Sequence, residues 1–207
     1  MNLGEIRTEV RRHLKETTAD VWLDAELNSL INRSCKFLVS LLHENYLKEM
    51  IQPGIVLVVA STVNYDLPTR FVRLVGSLFD TTNNEVYSFK PIAEVGQQRS
   101  GANTYMANTE KIVYIANNDF YIYPVPTGLA TLNYFYLQHP DDMTVDGDES
   151  DIQDSLMDLV IFDVASKALL KARSETALAL SANLRAQFDA LLKQVNMAAQ
   201  NGYAIWS

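Results

Sequence analysis

All six prolines of this chain, Pro53, Pro68, Pro91, Pro124, Pro126 and Pro140, fall between residues 53 and 140. A proline inside a helix removes a hydrogen bond and clashes with the preceding turn, at a cost of about 3 kcal/mol. Long helices are therefore confined to the two flanks. Eight of the ten tyrosines lie between 65 and 136, an enrichment that suits strands. The order is helices, a β-rich middle, then helices. The predicted fold class is α+β. The N- and C-terminal helices form an antiparallel helical bundle, and an antiparallel β-sandwich or barrel-like domain is inserted between them. The expected boundaries are 1–52 for the first helices, 53–140 for the β-rich domain, 141–202 for an acidic linker and the last helices, and 203–207 for a C-terminal arm.

In the first flank, Asn2 is placed to cap a helix whose Leu3, Ile6, Val10 and Leu14 recur on one face. Arg7, Arg11 and Arg12 lie off that stripe. Three arginines so close could grip phosphate, but Glu5, Glu9 and Glu16 balance them, so a solvated charged face is expected. Asp24 is the expected cap of a second helix running to about residue 50, with Leu27, Leu30, Ile31, Cys35, Leu38, Leu41, Leu42 and Tyr46 on its apolar face. Trp22 precedes that cap and could staple its first turn. Cys35 on the stripe reads as a small core hydrophobe.

The middle alternates like half-buried strands. Ile55–Val59 is a β-branched run. The strand from Phe71 to Phe79 returns through Val86–Lys90 around the Thr81–Asn84 turn. A second hairpin joins Lys111–Ala116 to Phe120–Tyr123 around Asn117-Asn118-Asp119, residues that tolerate a left-handed backbone. Leu132, Tyr134 and Tyr136 share a face of a last strand. About seven strands are expected. Residues 94–110, rich in Gln, Asn, Ser and Gly, form a long loop of the kind that is functional or disordered.

Beyond the middle, residues 140–154 hold seven acids and no base. Such a block repels itself and reads as an exposed linker. It carries most of the net −6 of residues 141–207, whereas residues 1–140 total only −2 of the chain's −8. A nearly all-apolar helix follows, with Leu156, Leu159, Val160 and Val164 on one face. Asp163 and Lys167 are spaced to pair on its exposed strip. Ser174 caps a final helix with Leu180, Leu184, Phe188, Leu191 and Val195 buried, and Asn201-Gly202 stops it. Tyr203, Ile205 and Trp206 then form an aromatic end that either anchors a partner or folds back on its own core.

Catalytic chemistry leaves no local trace. There is no Gly-rich phosphate loop, GxSxG, HExxH or CxxC. His13, His43 and His139 are far apart, and no metal or cofactor is expected. Asp142, Asp146 and Gly147 match three positions of a calcium loop, but Thr144 and Gln153 stand where carboxylates are needed. No apolar stretch approaches a bilayer span, the opening residues lack a signal-peptide core, and no membrane partner is expected. The acidic balance argues against retention on duplex DNA.

The order of these segments resembles the head-to-tail adaptor, or connector, proteins of tailed bacteriophages. LGEIRTEVRRHLKET followed by VWLDAELNSLINRS resembles that family's start, and NYDLPTRFVRLVGSLFD its first hairpin. YIYPVPTGLATLNYFYL resembles its closing hairpin, and DIQDSLMDLVIFDVASKALLKA its central C-terminal helix. The resemblance implies a non-enzymatic virion component in the head–tail neck, assembled in the host cytoplasm. It implies a ring of usually twelve copies beneath the portal protein, through which duplex DNA passes, with tail or nozzle proteins docking below. Within that picture Tyr203, Ile205 and Trp206 are the expected portal-binding arm. Gln97, Gln98, Arg99, Asn103, Tyr105 and Asn108 form the expected inter-subunit or tail-facing loop. Two alternatives stand beside it: another neck component such as a tail-tube closure protein, and a carbohydrate-binding or hydrolytic module stacking sugars on its tyrosines.

Overall fold

The computed structural model describes residues 1–16, 21–95, 111–172 and 174–200. They divide into two compact units. One comprises Met1–Met50 and His139–Ser207, the other Ile51–Gln138. The chain is α+β, as its proline distribution predicts.

The first unit is helical. Helix α1 (Leu3–Leu14) opens on a capping box, in which the Asn2 side chain accepts from the Glu5 amide and the Glu5 carboxylate accepts from the Asn2 amide. Leu3, Ile6, Val10 and Leu14 are buried, as their spacing requires. Helix α2 (Asp24–Leu41) begins differently from expectation. Asp24 is its first helical residue, and Leu23 precedes it with no side-chain cap. The Asp24 carboxylate instead accepts from Arg11 at 2.7 Å and pairs with Arg7 at 3.3 Å. Trp22 does not simply staple the helix start: it is buried, and its Nε1 donates to the Ala168 carbonyl at 3.1 Å.

Helix α2 also stops at Leu41, well short of residue 50, because Leu42 is extended. Asn196 takes over the helix end, donating to the Leu41 carbonyl and accepting from the His43 amide, both at 3.0 Å. Two short 3-10 turns, Glu44–Tyr46 and Lys48–Met50, complete the segment.

Helix α3 (Met157–Ala172) packs against α1, α2 and helix α4 (Glu175–Gln200). Its central position explains why ten of its residues are buried. Asp163 and Lys167 do pair, but not on an exposed strip. Asp163 is fully buried, and it also accepts from Ser34 Oγ at 2.8 Å and Arg185 at 3.1 Å. Helix α4 starts on the Ser174 cap, with Ser174 Oγ accepting from the Ala177 amide.

The second unit is one seven-stranded sheet. Its strands are β1 (Ile51–Val58), β2 (Asn64–Asp66), β3 (Phe71–Asp80), β4 (Glu85–Phe89), β5 (Ile112–Ala116), β6 (Asp119–Tyr123) and β7 (Ala130–Gln138), in the order β1-β7-β3-β4-β5-β6-β2. Strands β1 and β2 end the order yet are joined by residues 59–63 alone, so the sheet curls into a nearly closed, barrel-like form. One junction departs from the all-antiparallel expectation. The pair β4–β5 is parallel, held by Ser88–Ile112 and Phe89–Val113. Both expected hairpins form. Asn117 and Asn118 take positive φ of 51° and 69° at the β5–β6 turn, the backbone a two-residue hairpin needs. Gly76, at φ +78°, sits where β3 bulges between its pairings with β7. Val56, Val58, Leu78, Phe120, Leu132 and Tyr134 fill the interior.

Candidate interaction surfaces

The acidic segment, residues 140–154, is not an untethered linker. The Leu3 and Gly4 amides, unpaired donors of the first turn of α1, donate to the Asp148 and Asp146 carbonyls at 3.0 and 3.1 Å. Gly4 permits this approach, since a Cβ there would lie 3.3 Å from Asp146 Cβ. Asp146 also accepts from Arg7 at 2.9 Å, and Asp142 accepts from Lys36 at 2.8 Å. Asn32 and the Met143 backbone exchange two hydrogen bonds. Asp148 folds the segment on itself by accepting from the Thr144 and Val145 amides, which hold its carboxyl below the usual range. Acids clustered at the start of α1 also complement the positive end of its dipole. The block that should repel itself is thus tied down by cations and amides of the same unit.

The three arginines of α1 are tied in the same way. Arg7 and Arg11 have side chains only 13% and 12% exposed, so they are not a solvated face. Arg11 binds Glu16, Asp24 and the Trp22 carbonyl, and only Arg12, paired with Glu9, faces water.

Among the described residues, the titratable groups do not assemble a reaction centre. Burial pushes the Cys35 thiol up to about 12, the wrong direction for a thiolate nucleophile. His13 packs edge-on against Phe162, His43 Nδ1 accepts from the Asn45 amide, and burial, then Lys36, lowers the His139 pKa. Among the described residues, no group of three His, Cys, Asp or Glu is placed to hold a metal ion. Asp142 and Asp146, the calcium-loop matches, are engaged by Lys36 and Arg7. Among the described residues, tyrosines pack against other rings: Tyr114 stacks on Tyr121 at 5.2 Å, and Phe120 meets Tyr134 edge-on.

Among the described residues of the sheet unit, a groove and a sheet face stand open. The first is a groove of about 340 Å³ bordered by Val58, Tyr87, Lys111, Pro124 and Leu129. Its cation is occupied, since Lys111 pairs with Glu85 and lies 5.5 Å from the centre of the Tyr87 ring. The second is the outer face of β1, β7, β3 and β4. Cross-strand register aligns Ile55, Asn133, Phe79 and Val86 in one row, and Pro53, Phe135 and Val75 in the next. Ile55 is 64% exposed, Leu57 69% and Phe135 56%. Ile55–Val59 lacks period-2 alternation, which hides this face in the sequence, because both sides of the run are apolar. The signal that could have found it is that both-sided character beside Pro53, which marks an edge strand.

The expected arm residues Tyr203, Ile205 and Trp206 lie outside the described residues, as do Gln97, Gln98, Arg99, Asn103, Tyr105 and Asn108 of the expected loop. No helix among the described residues is long and apolar enough to cross a membrane. A family model described as SU10 adaptor protein matches residues 1–205. No curated protein gives a match.

Proposed function

Because the chain belongs to the SU10 adaptor protein family, a family of phage head-to-tail adaptors, we propose that it forms a ring beneath the portal, extends the DNA channel and offers the platform on which tail proteins dock. The carrying observation is that the match runs from residue 1 to residue 205, through both compact units. A structural role in the virion follows from the family. The chemistry of the described residues agrees with a scaffold: the buried thiol is raised, Arg7 of α1 and Asp146 of the acidic segment pair with each other, and aromatic rings fill a core.

In this reading the four helices act as a rigid antiparallel bundle in each subunit. Twelve copies close the ring, since a head-to-tail interface that closes gives cyclic symmetry. Tyr203, Ile205 and Trp206 dock on portal, using residue types that dominate binding hot spots. Gln97, Gln98, Arg99, Asn103, Tyr105 and Asn108 contact a neighbouring subunit or the tail.

Native mass measurement of the full chain with purified portal tests this. The expected product is portal carrying a ring of adaptor copies, and removal of residues 203–207 weakens its formation at least tenfold. Failure of the full-length chain to join portal at micromolar concentration overturns the adaptor reading. Unchanged assembly by the shortened chain overturns the arm alone.

A further inference from the structure

The acidic segment begins on two side chains of α2. Asn32 and Lys36 are four residues apart, so they share a face of that helix. Asn32 exchanges two hydrogen bonds with the Met143 backbone, its Oδ1 accepting from the Met143 amide at 3.0 Å. Lys36 meets both carboxylate oxygens of Asp142, at 2.6 and 2.8 Å. Both side chains of that ion pair are half exposed, so it is a weak tie.

His139 lies three residues before Asp142, and its Nδ1 is buried with no hydrogen-bond partner. In a neutral imidazole one nitrogen is a bare acceptor, and leaving it unpaired is a modest cost. In the charged ring both nitrogens are donors, so Nδ1 becomes a buried N–H on a cation with nothing to receive it. Lys36 of α2 acts on the same ring as a second positive charge. The acids nearest in sequence, Asp141 and Asp142, do not reverse this. Burial first, and Lys36 second, hold the ring below its ordinary pKa. A charged ring escapes both costs by moving into water. Pro140, stiff in φ, links it to the residues that lie on α2, so the ring cannot leave without drawing on Asp142 and Met143.

We propose that His139 is a proton-operated release for the start of the acidic segment. With the ring neutral, Asp142 and Met143 lie on Lys36 and Asn32. With the ring charged, they lift from α2 while the helices stay folded. The lifted ring is solvated and takes up its proton near pH 6.5, whereas the docked ring takes it up only at lower pH. Docking is therefore at full strength above pH 6.5. It weakens as pH falls from there to the docked ring's own pKa, and below that it weakens no further.

The test uses the full chain at about pH 7.5 and about pH 5, where His139 changes charge and most carboxylates do not. Nuclear magnetic resonance follows the His139 ring and the exchange of the Met143 amide. The expected ring midpoint is below 6.5. Protection of the Met143 amide, corrected for intrinsic exchange, should fall at least twofold at the lower pH, while amides of α3 keep theirs. His139→Gln should abolish that fall. A ring midpoint at or above 6.5 overturns the proposal and requires no variant. So does a natural chain whose Met143 protection is the same at both pH values. An equal fall in a folded His139→Gln chain would assign the release to other groups and overturn it as well.

Discussion

Asp163 and Asp80 are both fully buried carboxylates, and their surroundings make them behave differently. Asp163 is the hub joining three helices: Ser34 from α2, Lys167 from its own helix, and Arg185 from α4. Removing a buried charge strands its partners, which costs about 3–5 kcal/mol when they cannot escape. Arg185 and Lys167 are 44% and 39% exposed, so they can turn to water. Asp163→Ala is therefore expected to lose about 2–3 kcal/mol in urea unfolding, with Asp163→Asn losing less because Ser34 keeps an acceptor. A loss under 1 kcal/mol for the alanine variant would remove the hub from the account. Asp80 is a turn device. Burial pushes its carboxyl up, but hydrogen bonds from the Asn83 side chain and the Thr82 and Asn83 amides outweigh burial and hold it below the ordinary value. A depressed folded pKa gives stability that is present above the unfolded value, near 3.9, and lost as pH falls through the folded value. Asp80→Asn turns an acceptor toward the Asn83 amide into a donor, so it should be less stable than the natural chain at pH 7 by about 1–2 kcal/mol. That gap should narrow as pH falls below about 4. Urea midpoints at pH 7 and pH 3 check it, and a gap of constant size contradicts the linkage.

Elements held by local chemistry were legible; elements held by distant residues were not. The start of α1 follows from Asn2 and Glu5, three residues apart, and the β5–β6 turn from Asn117-Asn118, whose side chains suit positive φ. The end of α2 was misplaced because what ends it, Asn196, lies 155 residues from Leu41. The apolar residues Leu42 and Tyr46 continued the helical period, and no local breaker precedes Pro53. Asn196→Ala should therefore destabilise the helical unit by about 1–2 kcal/mol through two lost hydrogen bonds, one of them to an otherwise orphaned carbonyl. Amide hydrogen exchange should show faster exchange at Leu42, His43 and Leu47 in that variant, with α1 unchanged. Equal acceleration across α1 would mean that Asn196 acts through general packing instead. The parallel β4–β5 pair was equally hidden, since residues 90–111 intervene and pattern alone does not say which edges meet. In the β3 bulge, Gly76 was the visible clue, a glycine inside a strand pattern. The acidic segment failed for a related reason: sequence displays its seven charges but not Arg7, Lys36 and the α1 amides that receive them. Of the interaction surfaces, the sheet face escaped notice because Ile55–Val59 is apolar at every position, so alternation assigns neither side to water.

At the scale of the molecule, net charge and the placement of charge make different demands on any DNA that passes it. The chain totals −8, and most of the excess lies in residues 141–207. Duplex DNA binds a protein by exchanging counterions for Lys and Arg, so affinity depends on cations free to approach phosphate. Here Arg7 and Arg11 are nearly buried in ion pairs, and Lys36 is held by Asp142, Lys111 by Glu85 and Lys171 by Glu26. Each would have to break a pair before touching a phosphate. The acidic segment adds less repulsion than its sequence suggests, because Arg7 and Lys36 offset part of it. Low affinity for duplex DNA is thus expected from two causes, the net charge and the ion pairs that engage these cations. Both causes are tested by changing single charges. The full chain should not shift duplex DNA in a gel at about 150 mM salt, and lowering the salt to about 20 mM should produce at most weak retention. Arg7→Gln frees Asp146 and removes a cation, which should leave DNA retention nil. Asp142→Asn releases Lys36 and removes an acid, so it should raise low-salt retention above that of the natural chain. Counterion release predicts that this gain disappears between 20 and 150 mM, with a salt slope near −0.9 for each phosphate newly contacted. Strong retention of DNA by the natural chain at 150 mM would show that neither its net charge nor the ion pairing of its cations keeps it off phosphate. Equal retention by the Asp142→Asn and natural chains at low salt would show that neither release of Lys36 nor the loss of one negative charge acts on DNA.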